Sequence, residues 1–260
     1  MVYSSLLTAL VVALVAADAL PPPLLVGTPE IAGGNEAAIG QHLYVTGLRN
    51  TNTSISLCGG ILIAPKYVLT AAHCVGGVWA RFAAIGTHYL NGSSDGELIR
   101  VKRPFFHPQY NAWTFDNDFG ILELERPSNM PPVSISFDDT PVGSEATVRG
   151  WGAVAHGTAY SQVLKEVSVK LWDNAVCDAA IQKSSNATMP HVTDSMLCAG
   201  GVAGEDACAG DSGGPLTVQQ NGKDVVIGVV SWGFKCAIQN SPGVYARLSK
   251  AKEFLQPFLA

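Results

Sequence analysis

Residues 210–215 read Gly-Asp-Ser-Gly-Gly-Pro and place Ser212 in a glycine-rich segment. A serine hydroxyl becomes a useful nucleophile only when a neighbouring base removes its proton. Small residues around Ser212 let a substrate approach, and glycines allow tight backbone geometry in which N–H groups point at a developing oxyanion. Ser212 is therefore a candidate nucleophile that needs a base from elsewhere in the chain.

Two other segments supply a base and an acid. Residues 69–74, Leu-Thr-Ala-Ala-His-Cys, place His73 at the end of an apolar strand, and residues 116–122, Asp-Asn-Asp-Phe-Gly-Ile-Leu, place Asp118 just before another. An Asp that hydrogen-bonds the second ring nitrogen of a histidine fixes its tautomer and stabilises the imidazolium. The chain order His, Asp, Ser excludes an α/β-hydrolase, whose serine follows a strand on a strand-turn-helix and whose triad order is different.

Composition and the N-terminus predict a secreted globular protein. The 260 residues are 47% hydrophobic and 14% charged, which excludes intrinsic disorder. The net charge is -5 and no basic cluster is expected, which argues against nucleic-acid binding. Residues 6–17 form an uncharged apolar run, shorter than the roughly 20 residues of a transmembrane helix. Ala17-Asp18-Ala19 fits a signal-peptidase site, so residues 1–19 are predicted to be a signal peptide, and no membrane span is expected.

Short runs of β-branched or alternating residues between turn signals predict an all-β sandwich or barrel fold. These runs are residues 42–47, 60–63, 66–70, 146–149, 166–171 and 225–231. Residues 126–141 hold four prolines and are the best candidate linker between two halves. Only the tail, residues 249–259, has helical periodicity, with Ser249 as its predicted N-cap.

In a secreted protein, cysteines are expected to form disulfides and sequons can carry glycans. Six cysteines allow 15 disulfide pairings, among which the spacing alone does not choose, and no CxxC motif suggests zinc. They are Cys58, Cys74, Cys177, Cys198, Cys208 and Cys236. Asn52, Asn91 and Asn186 each begin an N-glycosylation sequon and are candidate glycan sites.

The three catalytic motifs together resemble the trypsin/chymotrypsin family of serine proteases. Further matches spread over residues 31–260 are Ile31-Ala32-Gly33-Gly34, Cys58-Gly59-Gly60, Gly150-Trp151-Gly152, Met196-Leu197-Cys198-Ala199-Gly200, Ser231-Trp232-Gly233 and Pro242-Gly243-Val244-Tyr245. The resemblance implies a monomer of two antiparallel six-stranded β-barrels, about residues 31–125 and 142–260, with the active site between them and a short C-terminal helix. It also implies the disulfides Cys58–Cys74, Cys177–Cys198 and Cys208–Cys236.

The resemblance implies a role for each matching site residue. Ser212 would be the nucleophile, His73 the general base and then acid, and Asp118 the residue that orients His73. The backbone N–H groups of Gly210 and Ser212 would form the oxyanion hole. Asp206 would form the floor of a pocket for a substrate Arg or Lys. The other pocket residues would be Ser231, Trp232, Gly233 and Gly243. The expected function is that of a secreted serine endopeptidase that cleaves proteins or peptides after Arg or Lys through an acyl-enzyme, with protease inhibitors among its partners and no cofactor.

Activation departs from the family's usual sequence. The resemblance implies that cleavage before Ile31 removes a pro-segment, residues 20–30, and frees an ammonium that pairs with Asp211. Glu30 stands where trypsin-like zymogens often carry Lys or Arg. We therefore expect activation by a different protease that tolerates Glu.

Two further departures concern the pocket and a metal. Lys235 stands at the pocket mouth, where we expect it either to reach toward Asp206 or to repel an incoming Arg. Within the loop of residues 87–97, Asp95 and Glu97 offer only two carboxylates, which make a poor calcium site. No metal site is predicted.

A second function belongs to a different class. Residues 86–92, Gly-Thr-His-Tyr-Leu-Asn-Gly, with Asp95-Gly96-Glu97, resemble the glucanase inhibitor proteins secreted by oomycete plant pathogens. Those are family members with a damaged triad that bind and inhibit plant endo-β-1,3-glucanases. The alternative is therefore a protease-like binding protein with little activity that inhibits a host glucanase. The presence of His73, Asp118 and Ser212 favours the enzyme.

Overall fold

Short β-strands are the main regular elements of the described residues. The computed structural model describes residues 34–76, 80–92, 95–153, 159–185 and 189–259. Its strands are β1 (Asn35–Glu36), β2 (Val45–Arg49), β3 (Cys58–Ala64), β4 (Tyr67–Thr70), β5 (Phe82–Ile85), β6 (Glu97–Phe106), β7 (Gly120–Leu124), β8 (Ser134–Ile135), β9 (Glu145–Gly150), β10 (Lys165–Trp172), β11 (Met196–Gly200), β12 (Pro215–Gln220), β13 (Lys223–Trp232) and β14 (Pro242–Arg247). Its α-helices are α1 (Asn174–Ser184) and α2 (Lys252–Leu255), with 3₁₀ turns at Ala72–Cys74, Leu248–Lys250 and Gln256–Phe258.

The strands close into two antiparallel six-stranded barrels. Barrel one runs in the order β2-β3-β4-β7-β6-β5, and β5 pairs back with β2. Barrel two runs in the order β9-β10-β11-β14-β13-β12, and β12 pairs back with β9. Closure pairs the strand edges that an open sheet would leave free. The all-β, two-barrel fold predicted from the sequence is confirmed, and each of the six predicted strand runs overlaps β2, β3, β4, β9, β10 or β13.

Two very short strands attach to barrel two. β1 pairs with β10, so the first described strand of the chain joins the sheet of the second barrel. β8 pairs in parallel with β13, and it lies inside the predicted linker of residues 126–141. The placement of the domain boundaries at residues 125 and 142 stays a prediction.

Helix α1 is an element that the sequence reasoning missed. The Asp173 carboxylate caps it by accepting hydrogen bonds from the backbone N–H groups of Ala175 (2.9 Å) and Val176 (3.1 Å). Only Cys177 and Ile181, four residues apart, are buried along its length. Two apolar residues one turn apart are too weak a pattern to predict a helix.

The C-terminal helix is confirmed, but its predicted cap is wrong. α2 begins only at Lys252, because the 3₁₀ turn Leu248–Lys250 precedes it. The Ser249 hydroxyl lies in that turn and donates to Asp139 Oδ1 at 2.6 Å instead of capping. Beyond α2, the ring of Phe258 contacts Tyr67 and Phe105 of barrel one, with centroids 5.2 and 5.0 Å away. The tail of the chain therefore packs on the first barrel.

The three disulfides join Cys58 to Cys74, Cys177 to Cys198 and Cys208 to Cys236, as the family resemblance implies. The sequon residues Asn52 and Asn91 are exposed, whereas Asn186 lies outside the described residues. The predicted signal peptide, pro-segment and Ile31 lie outside them as well. Within the described ranges, no helix combines the length and apolar composition needed to cross a membrane.

Candidate active site

His73 and Asp118 form a tightly bonded pair on barrel one. Asp118 is fully buried, and its two oxygens accept the His73 backbone N–H (2.9 Å) and bond Nδ1 of the same ring (2.7 Å). The Ser231 hydroxyl of barrel two donates to Asp118 Oδ2 at 2.6 Å. Because the carboxylate acts as acceptor to all three groups, Nδ1 carries the hydrogen and Nε2 is left free to accept one.

Ser212 reaches this pair from barrel two. Its carbonyl accepts the Gly59 N–H of β3 at 2.7 Å, and the Gly59 carbonyl accepts the Thr70 hydroxyl at 2.8 Å. A Cβ on Gly59 would lie 2.8 Å from the backbone of Gly214, so only glycine permits this close approach of the two barrels. The predicted triad residues are thus brought together at the barrel interface.

The Cys58–Cys74 disulfide lies between the histidine and the serine turn. Cys74 Sγ is 3.6 Å from His73 Nε2 and 3.4 Å from the Ser212 carbonyl oxygen. No hydrogen bond joins His73 Nε2 to Ser212 Oγ, both of which belong to described residues. Catalytic hydrogen bonds are often long in unliganded enzymes and tighten when substrate binds.

Two backbone N–H groups of the serine turn are unused. The N–H groups of Asp211 and Gly213 donate to Cys208 (3.0 Å) and Val230 (2.8 Å), whereas those of Gly210 and Ser212 donate to no acceptor in the described part of the chain. The carbonyl of Ala209 accepts the Ala153 N–H at 2.7 Å. Because the C=O and N–H of a trans peptide point in opposite directions, this bond turns the Gly210 N–H away from Ala153. The predicted oxyanion-hole donors are therefore held free of internal partners.

Gly210 has a conformation that other residues rarely adopt. Its φ is +100°, and a Cβ would lie 3.0 Å from the Tyr160 ring and 3.1 Å from Gly152 Cα. Both the dihedral angle and the crowding require glycine. Tyr160 was not identified from the sequence, since only the folded chain brings its ring to this peptide.

Asp206 lies in a cavity of about 300 Å³ that it shares with Ser212, Trp232 and Gly243. Only 1% of its surface is exposed, and its Oδ1 accepts the Ala207 N–H at 2.9 Å. Burial raises the pKa of Asp206 to about 7, although backbone hydrogen bonds from Ala237 and Ala207 oppose that rise. Among described residues no cation lies within ion-pairing distance of it, so a positively charged guest would meet an uncompensated carboxyl group.

The glycine wall of the cavity keeps the approach to Asp206 open. A Cβ on Gly243 would lie 3.3 Å from Asp206 Oδ1 and 3.5 Å from the Tyr245 hydroxyl. That hydroxyl is buried and has no hydrogen-bond partner within the described ranges, which makes it a second polar group available to a guest. Ser231, Trp232 and Gly233 also line the cavity, as predicted.

Lys235 does not fill the pocket. Its ammonium lies 5.1 Å from the ring centroid of Phe234, and its side chain is exposed at the cavity rim. The expectation that Lys235 reaches Asp206 is therefore wrong, because the neighbouring ring holds its ammonium by a cation–π contact. The alternative, repulsion of an incoming cation, stays a prediction.

Asp211 is fully buried beside the serine. Its carboxylate oxygens accept the N–H groups of Gly152 (2.8 Å) and Cys208 (2.9 Å). Burial raises the pKa of Asp211 to about 6. Side chains at Gly150 or Gly152 would overlap this carboxylate, which explains the Gly-Trp-Gly motif.

Phe115 is a site residue that the sequence did not reveal. Its ring lies edge-on to His73, with centroids 5.9 Å apart, and 6.4 Å from the Trp232 ring. Its φ of +59° is unusual for a bulky side chain and marks a constrained loop next to the catalytic histidine. A phenylalanine before an Asp-Asn-Asp run carries no signal that predicts this position.

The two carboxylates considered for calcium are occupied by protein donors. Asp95 accepts the Thr87 hydroxyl (2.8 Å) and the His88 N–H (2.5 Å). Glu97 accepts the hydroxyl of Ser128 and both the backbone and side-chain N–H groups of Asn129. Within the described residues, the one cluster with metal-ligand spacing is Cys58, His73 and Cys74, whose sulfurs form a disulfide and supply no thiolate.

Two closed barrels with a His–Asp pair and a glycine-flanked serine at their interface define the class of chymotrypsin-like proteins. The family model for trypsin matches residues 31–255, and the chain belongs to the trypsin family. It is similar to glucanase inhibitor protein 1 of Phytophthora infestans (39% identical over 234 residues) and to glucanase inhibitor protein 3 of the same organism (39% identical over 236 residues). Each alignment covers 86% of this chain and 86% of the relative. Glucanase inhibitor protein 1 of Phytophthora sojae is 37% identical over 236 residues, 86% of this chain and 87% of its own.

Proposed function

We propose that this chain is a secreted serine endopeptidase that cleaves after Arg or Lys. The observation that supports it best is a set of hydrogen bonds that orient the base and leave an oxyanion donor free. Asp118 holds His73 Nδ1 at 2.7 Å, and the Ala153–Ala209 bond leaves the Gly210 N–H free where an oxyanion would form. Preorganised donors of this kind are usually the largest single contribution to transition-state stabilisation.

The proposed reaction uses these groups in sequence. Ser212 Oγ attacks the carbonyl carbon of the scissile bond while its proton passes to His73 Nε2, and Asp118 stabilises the imidazolium. The carbonyl oxygen becomes an oxyanion that accepts the N–H groups of Gly210 and Ser212. His73 then protonates the leaving amine, which leaves an acyl ester on Ser212. Water, deprotonated by His73, hydrolyses this ester and restores the free serine.

Labelling with a fluorophosphonate tests the catalytic proposal. The mature protein, with its Ile31 amine confirmed by N-terminal sequencing, should form an adduct at Ser212. The adduct should disappear in Ser212→Ala and His73→Ala but persist in His191→Ala, which removes an exposed histidine paired with Asp178. Absence of labelling in the folded, processed protein would contradict the proposal.

A second candidate function is a glucanase-binding protein with little activity. The comparisons alone support it better than catalysis, since the similar curated proteins are glucanase inhibitor proteins. The missing hydrogen bond between His73 and Ser212 is compatible with it. The Ser212→Ala protein should then capture and inhibit a purified endo-β-1,3-glucanase as well as the parent does. Unchanged glucanase activity at micromolar concentrations of this protein would count against binding.

A further inference from the structure

Basic side chains from three segments of the sequence meet on the outer face of barrel one. Arg100, Lys102 and Arg103 lie on β6, and all three are exposed. The Val101 N–H donates to the Arg81 carbonyl at 2.8 Å, which places exposed Arg81 beside them. Exposed Arg126 follows β7 and bonds Glu97, the first residue of β6, at 3.3 Å. We call these five residues the basic face: Arg81, Arg100, Lys102, Arg103 and Arg126.

A β-bulge aligns two of these cations. In the ladder between β6 and β7, Val101 faces Leu124 and Arg103 faces Glu123, so Lys102 is an extra residue. An extra residue shifts the alternation of side chains, so that two successive residues face the same side. Lys102 Nζ and Arg103 Nε bond the two oxygens of Glu123 at 2.7 and 2.6 Å. Both cations therefore point outward in fixed positions.

The acids of this region lie beneath the cations. The Glu123 side chain is 8% exposed, whereas Lys102 and Arg103 are 56% and 60% exposed. Glu97, 13% exposed, is also bonded by Ser128 and Asn129. Only Glu125, 3.6 Å from Arg100, is as accessible as the cations. Five cations against three acids leave the basic face positive on a chain whose net charge is -5.

The chemistry of the face selects the kind of partner. Protein interfaces draw most of their binding energy from a few buried anchors, among which aromatic side chains are prominent. Of the exposed large apolar side chains in the described chain, only Phe106 lies on β5, β6 or β7, at the far end of β6. Arginine pairs with carboxylate and sulfate groups in a bidentate, oriented manner. We propose that the basic face binds an acidic polysaccharide, a chain that carries repeated carboxylate or sulfate groups.

The test uses immobilised polygalacturonate, immobilised heparin and a neutral dextran resin. The mature protein should bind one or both acidic polymers at low salt, pass through dextran, and elute as salt screens the charges. Binding to polygalacturonate only identifies carboxylate as the recognised group, and binding to heparin only identifies sulfate. The variant R100Q/K102Q/R103Q should show a Kd about tenfold higher, equivalent to about 1.4 kcal/mol.

Matched variants separate this surface from general charge. K170Q/K183Q/K223Q removes three exposed lysines from β10, α1 and β13 of the barrel-two half and should leave the Kd unchanged. R81Q/R100Q leaves the Glu123 bonds intact and should still weaken binding if the triple variant fails to fold. E123Q removes an acid from the face and should tighten binding. Equal losses in the barrel-two variant, no retention on either polymer, or retention only on an immobilised acidic protein would overturn the proposal.

Discussion

Replacing Asp206 with Asn should make the protein more stable and less active. Burial raises the pKa of Asp206 from 3.8 to about 7. At about 1.4 kcal/mol per pKa unit, keeping this group ionised in the folded protein costs ~4 kcal/mol. Asn has nearly the same shape but no charge, so it avoids this cost. The cost vanishes when a guest cation pairs with the carboxylate.

The sign of the pH dependence follows from linkage. A folded-state pKa above the unfolded value means that the stability of the neutral acid is fully present below about pH 4 and is lost as pH rises through about 7. D206N should therefore match the parent at pH 4 and exceed it by ~4 kcal/mol at pH 8, which corresponds to roughly 10 °C in Tm. Asp211 titrates in both proteins, and its charge is the smallest of the causes that shift the pKa of Asp206, so most of its effect cancels from the difference. D138N, an exposed acid, should change stability little at either pH.

Catalysis should change in the opposite direction. Losing one partner of a buried ion pair costs about 3–5 kcal/mol, so kcat/KM for an Arg ester should fall by roughly two to nearly four orders of magnitude. A citrulline ester, which has no charge, should be little affected. Urea denaturation at pH 4–8 and initial rates on both esters measure the two effects. A stability gain of equal size at both pH values, or an unchanged preference for Arg, would refute the reasoning about the buried carboxylate.

Three further substitutions test neighbouring parts of the site. Ser231→Ala removes a 2.6 Å hydrogen bond to Asp118 and should lower kcat about tenfold with little change in KM, as measured by steady-state kinetics. An unchanged kcat would mean that His73 is oriented without this hydrogen bond. Gly210→Ala forces a Cβ against Tyr160 at a φ of +100° and should lower kcat about 10²-fold, with fluorophosphonate labelling slowed in parallel. Lys235→Gly removes a cation from the pocket rim and should lower the Kd of benzamidine up to about fivefold, an effect that high salt abolishes; no change would exclude repulsion.

The sequence predicted the architecture well because the family motifs mark points of close backbone approach. Gly59 must lie against Gly214, and Gly152 against the carboxylate of Asp211, so both positions require glycine and stand out as motifs in the sequence. The strands were visible because β-branched residues cluster between turn residues. Disulfide pairing followed from the family resemblance, since spacing alone left every pairing open.

Features produced by tertiary contacts were missed. Phe115 contacts His73 only because its loop holds a positive φ, and the Ala153–Ala209 hydrogen bond joins peptides that are distant in sequence. Helix α1 depends on the Asp173 cap and two buried side chains rather than on a repeating apolar pattern. The sequence did not decide whether Lys235 points toward Asp206 or outward, because the contact between its ammonium and the Phe234 ring forms only in the folded chain.

The first and last described segments of the chain cross between the barrels. β1 belongs to the sheet of barrel two, while Phe258 near the C-terminus packs against Tyr67 and Phe105 of barrel one. Each barrel thus holds a described segment that belongs in sequence to the other half of the chain. Neither half can melt without releasing a segment that stabilises its neighbour. The protein should therefore unfold in a single cooperative transition despite its duplicated architecture.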